Sequence, residues 1–166
     1  MERGGLTSPL PGIVSVHATA DGVVDVWRRD PVTGEGSVQR TRQRGWIYAR
    51  TVDDLRHLGD RLTVSADPDP LHAAFHAQDL APDSQVDPRA YRYLLSGPSP
   101  RQLEGEIQRG AVTARGLKAR PALGDLSGYL RVGYAEQYLI ATRQTYHQGL
   151  TFDQPVRLQF DLETTA

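Results

Sequence analysis

"GIVSVHATADGVVDVWRRD", residues 12–30, sets how the rest of the chain is read. Two runs of alternating apolar and polar residues flank Asp21-Gly22, a dipeptide suited to the positive φ angles of a tight hairpin turn. Successive strand side chains point to opposite faces, so Val24, Val26 and Arg28 share one side and Val23, Asp25 and Trp27 the other. An antiparallel hairpin is expected. "DPVTGEG" (30–36) makes a second turn, and a polar run leads to "GWIYAR" (45–50), a short strand rich in β-formers.

Helix signals follow, without regular alternation. Thr51 is placed as an N-cap, with Asp53 and Asp54 in a first turn that favours negative charge and Gly59 just past the end. Residues 66–88, "ADPDPLHAAFHAQDLAPDSQVDP", carry four prolines and five aspartates. They read as a linker around a short helix over residues 71–80. "YRYLLSG" (91–97) returns to strand. In "SPRQLEGEIQRG" (99–110), Ser99 is an N-cap, Pro100 the first helical residue, Gln102 the partner of a capping box and Gly110 the stop. Leu103 and Ile107 give that helix a narrow apolar face. A strand leading into a further helix is expected over residues 127–146, and a last strand from Val156. Strands mixed with short helices predict an α+β fold with a mainly antiparallel sheet.

The chain has 166 residues, 39% hydrophobic and 23% charged, enough for one ordinary domain with a core. It contains no apolar run long enough to span a membrane, and residues 1–16 lack the apolar core of a secretory signal. With no cysteine, thiolate metal sites and disulfides are excluded, and a cytoplasmic location is the default expectation. The net charge of −1 lacks the basic surplus of a free-standing nucleic-acid binder.

The closing "RLQFDLETTA" (157–166) alternates again. Leu158, Phe160 and Leu162 fall on one face and Gln159, Asp161 and Glu163 on the other, with the two acids about 7 Å apart along the backbone. Both could reach one divalent ion, as two-metal phosphodiester chemistry requires, although that chemistry needs further acids from elsewhere. The plain reading of such a pair is a solvated acidic face.

Residues 138–165, "YLIATRQTYHQGLTFDQPVRLQFDLETT", resemble the segment that enters the proofreading exonuclease of family B DNA polymerases. There a Tyr-Leu-Ile-type helix and a connector lead to a strand ending in Asp-[Ile/Leu]-Glu-Thr, the first exonuclease motif. Tyr138, Leu139 and Ile140 match the helix, and residues 160–164 match the motif. Upstream, "VVDVWRRD" and "GWIYAR" are similar to the opening strands of the family's N-terminal domain. The resemblance implies that residues 1–155 form an N-terminal α+β domain and that residues 156–166 are the first strand of an RNase H-like exonuclease. It implies a role in DNA replication or repair, with single-stranded template DNA and the remainder of the same polymerase chain as partners, and no membrane. It makes Asp161 and Glu163 ligands of Mg2+ or Mn2+. The later exonuclease motifs do not follow, so the chain is expected to be an N-terminal fragment without activity of its own. The alternative is a stand-alone, non-catalytic module that binds nucleic acid or protein.

"RTRQRGWIYAR" (40–50) places Arg40, Arg42 and Arg44 at alternate positions before Trp46 and Tyr48. If extended, this is a basic stripe running into aromatics, as contact with a single strand requires. Its plain reading is an edge strand protected by charge. His72 and His76 have the four-residue spacing of zinc ligands on a helix, but no third ligand accompanies them, and two ordinary histidines are the simpler reading. No Gly-x-Ser-x-Gly nucleophile elbow and no phosphate-binding glycine loop occur.

Overall fold

The computed structural model describes residues 12–68, 73–83 and 87–151. The fold is α+β, with one antiparallel and one mixed sheet and few helices. β1 (Ile13–Ala18) and β2 (Val23–Arg29) form the hairpin about Asp21-Gly22, and β3 (Gly36–Arg42) adds beyond the second turn in the order β1-β2-β3. That turn is closed by Asp30 Oδ1, which accepts from the backbone N–H groups of Val32 and Thr33, both at 2.7 Å. The two faces are those the alternation predicts. Val24 and Val26 are fully buried, whereas Trp27 is 36% exposed.

The second sheet contains β4 (Gly45–Ala49), β5 (Leu62–Ser65), β6 (Phe75–Asp79), β7 (Tyr93–Gly97) and β8 (Tyr129–Leu130), ordered β5-β6-β7-β4-β8. Only β5 and β6 are parallel. β4 pairs antiparallel with both β7 and β8, and β6 antiparallel with β7. A 3-10 segment (Asp53–Arg61) connects β4 towards β5 and β6, and α1 (Pro100–Ala114) connects β7 to β8. With β5 set aside, each helical connection skips one strand, which is the split β-α-β plan.

Both connections pack on the same face. Ile47, Ala49, Phe75, Ala77 and Leu95 from the sheet share a buried core with Leu55 and Leu58 of the 3-10 segment and with Leu103, Ile107 and Ala111 of α1. Burying each large apolar side chain contributes about 1.5–3 kcal/mol. Ser99 caps α1 as its sequence predicts, its Oγ accepting from the Gln102 N–H at 3.3 Å with Pro100 in the first turn. The predicted stop at Gly110 is wrong, because the helix runs on to Ala114. Gly110 is instead where α1 touches the 3-10 segment, and a methyl group there would overlap the Asp54 carbonyl. Gly59, at φ 54 and ψ −129, is non-helical and ends the first part of the 3-10 run where the sequence predicts a stop, with a kink before the last residues.

Asp54 anchors that contact. It is buried, takes three hydrogen bonds of 2.6–3.1 Å from the Arg115 guanidinium and one of 2.7 Å from the Tyr129 hydroxyl. Burial, reinforced by the hydrogen bond to Asp54, pushes the Tyr129 phenol above its usual range. A first-turn acid expected to serve a helix dipole thus ties the 3-10 segment to the end of α1 and to β8.

The expected helix over residues 71–80 is not present. Residues 75–79 form β6, an interior strand, so the stretch read as a linker supplies part of the sheet. Phe75 and Ala77 enter the core with a period of two, and hydrogen-bonded partners on both sides outweigh the local helix signal. The later strand-then-helix expectation holds as β8 and α2 (Tyr134–Thr142). Tyr138 and Leu139 of α2 cover Ile13, Val24 and Val26, so this helix closes the core of the smaller sheet. No helix among the described residues is long and apolar enough to cross a membrane.

Candidate nucleic-acid interface on the open sheet face

Strand alternation aims the other half of the larger sheet away from its helices. Trp46, Ser96 and His76 stand side by side in one row, and Tyr48, Leu94 and Gln78 in the next, with Leu130 beyond Tyr48. Rows on one face are separated by about 7 Å. The Trp46 and Tyr48 rings meet edge to face at 5.5 Å and 78°. His76 is buried at the floor, its Nε2 at 3.0 Å from Ser65 Oγ.

This face opens into a cavity of about 530 Å3. Its walls are Trp46, Tyr48, Leu94 and Ser96 on the sheet side and residues 138 and 140–142 of α2 on the other. Arg42 and Arg44 lie at its rim. None of its lining residues among those described is acidic. Among the described lining residues the charged side chains are the two arginines, and an anion entering meets their attraction.

The chain arrives at this place by crossing between sheets. β3 ends at Arg42 and β4 begins at Gly45, and β3 pairs with β2 whereas β4 pairs with β7 and β8. The close approach of Gly45 to Pro100 leaves no room for a side chain there. The crossing divides the predicted basic stripe. Arg40 stays on the edge strand, where its guanidinium bonds Asp25 at 2.7 and 2.9 Å and holds that carboxyl below the ordinary carboxylate range. Arg42 is exposed, and its guanidinium makes no hydrogen bond or ion pair among the described residues. Arg44 donates to the carbonyls of Ala73 and Ala74 at 3.1 and 3.3 Å, which fixes it at the rim.

Of the residues singled out from the sequence, Arg42, Arg44, Trp46 and Tyr48 thus converge on one cavity, together with His76, and Arg40 does not line it. Sequence reasoning missed Gln78, Leu94 and Ser96, which only strand pairing brings alongside the aromatics, and it gave no sign that α2 would form the opposite wall. His72, Asp161, Glu163, the strand expected from Val156 and the boundary at residues 155/156 all lie outside the described residues. Among the described residues, no group of three or more His, Asp or Glu side chains gathers to hold a metal ion. Comparison of the chain with protein-family models, with curated proteins and with solved structures returns no match.

Proposed function

We propose that this chain serves as the N-terminal domain of a family B DNA polymerase-like protein carrying a proofreading exonuclease, and that its open sheet face contacts single-stranded DNA. One observation carries the contact: a cavity with no acid among its described lining residues, with the paired Trp46 and Tyr48 rings in its wall and two arginines at its rim. Phosphates supply charge to the arginines, and unstacked bases supply flat apolar surface to the rings. A duplex keeps its bases stacked inside and offers only the first of these, so single strands are favoured. The polymerase assignment is supported by the closing motif at residues 160–164 and by the helix residues Tyr138, Leu139 and Ile140, which α2 contains. On that assignment Asp161 and Glu163 hold Mg2+ or Mn2+, which would supply Lewis-acid activation of a phosphodiester.

Titration of a fluorescent oligonucleotide tests the contact. Affinity is expected in the micromolar range at best, falling with salt, and no better for duplex. Trp46→Ala should weaken single-strand binding by about 1–3 kcal/mol, the value of one stacked base. Equal binding by that variant, or a preference for duplex, would remove the proposal. The polymerase assignment is tested separately in a longer protein that continues through the exonuclease. Asp161→Ala should lower exonuclease rates by several powers of ten and leave polymerisation largely intact, since a lost metal ligand forfeits several kcal/mol, at about 1.4 kcal/mol per power of ten. Unimpaired exonuclease would return the pair to acidic surface.

A further inference from the structure

We infer that Gln137 is a positioning residue for the candidate single-strand site, fixing the Trp46 ring in the orientation that receives a base. The inference rests on the reading of the cavity as a single-strand site. Gln137 is completely buried on α2, where an amide side chain is costly unless its hydrogen bonds are made. They are made: Oε1 accepts from the Trp46 backbone N–H at 3.2 Å, and Nε2 donates to the Val132 carbonyl at 3.2 Å. The Gln137 carbonyl also accepts from the Trp46 indole N–H at 3.2 Å. Trp46 is therefore held by one residue at both its backbone and its ring.

The strand register explains the need for this. β8 has only two residues, and its pairing with β4 covers Tyr48 and Ala49 but not Trp46. On that edge the Trp46 N–H lacks a strand partner, and the Gln137 side chain takes the place the shortened strand leaves empty. The same contact sets the spacing between sheet and α2, hence the width of the cavity, because the next two residues, Tyr138 and Leu139, are locked into the core of the other sheet.

The test uses a Trp27→Phe background, which leaves Trp46 as the only tryptophan. Gln137→Leu keeps the main-chain carbonyl that bonds the indole but loses the side-chain bonds that hold the Trp46 backbone against α2, so oligonucleotide affinity should fall about five- to tenfold. Trp46 emission should shift to the red and depolarise faster in the free protein. Gln137→Glu, whose protonated acid can both accept from the Trp46 N–H and donate to Val132, should recover affinity relative to wild type as pH is lowered. Wild-type affinity together with wild-type Trp46 depolarisation in Gln137→Leu would overturn the inference, as would a lowered melting temperature with binding unchanged below it. If Gln137→Leu does not fold, Gln137→Glu decides: binding equal to wild type at neutral and acid pH alike would overturn the positioning role. Failure of the underlying reading has a different signature, in which Trp46→Ala itself binds as wild type.

Discussion

Leu94 and Leu95 are neighbours on β7, yet they serve opposite faces of one sheet with different tasks. Leu95 is fully buried against Ile47, Ala77 and the helical connections, whereas Leu94 lines the open cavity beside Tyr48 and Gln78. The closed face is almost wholly aliphatic, and its buried acids are both paired, Asp54 with Arg115 and Tyr129 and Glu106 with His57 and Arg109. The open face mixes aromatic, hydroxyl, amide and imidazole groups under two rim arginines. A single split β-α-β sheet thus keeps stability and recognition apart by a period of two, so that one residue of register separates a core position from a binding position.

The largest expected effect follows from that separation. Leu95→Ala should destabilise the fold by about 2–5 kcal/mol, through lost burial and the cavity it leaves. Leu94→Ala should cost about 1 kcal/mol or less and should instead alter oligonucleotide affinity. Urea unfolding of both variants, paired with binding at a concentration where both are folded, would break the comparison if the two costs proved equal.

A smaller effect distinguishes two arginines of the same edge strand. Arg42 is at the cavity rim and Arg40 is engaged by Asp25. Arg42→Ala should reduce the log–log salt slope of single-strand binding by about 0.7, one phosphate contact, while Arg40→Ala leaves the slope unchanged. A slope that responds to Arg40 and ignores Arg42 would place the nucleic acid on the outer side of the smaller sheet.

The smallest effect belongs to the strand ends that both faces share. Arg92 bonds Asp79 across β6 and β7 at 2.7–3.1 Å and, with help from the Ala81 N–H, holds the Asp79 carboxyl below its ordinary value. A lowered folded-state pKa means that the unfolded chain takes up the proton first on acidification. The pair's contribution is therefore complete above the ordinary value of 3.8 and is lost as pH falls through the lowered one. The stability difference between wild type and Asp79→Asn should be present at neutral pH and close on acidification. A gap that widens in acid would reverse the sign assigned to the pair.

Much of the smaller sheet was legible in the residues themselves. Alternation about Asp21-Gly22 and the Asp30 turn are signals completed within a few residues, and both faces of β2 came out as written. The start of α1 was legible for the same reason, since Ser99 caps the Gln102 N–H with Pro100 in the first turn, all within four residues. The candidate site was legible only as a list of residue types, "RTRQRGWIYAR", with no indication that Arg40 would part from Arg42 and Arg44. Gly110 read as a stop because glycine usually ends a helix, whereas its reason here is contact with a segment some fifty residues earlier in the chain.

What the sequence by itself determined is therefore the set of short-range features: turns, caps, the period of each strand and the absence of thiol chemistry. Tertiary structure alone decided that residues 75–79 are an interior strand, that the chain changes sheets between Arg42 and Gly45, and that α2 faces Trp46 through Gln137. The physical reason is range. A cap or a turn is satisfied by neighbours a few positions away, while an unpaired N–H, an open sheet face or a lone arginine finds its partner wherever the completed topology happens to bring one.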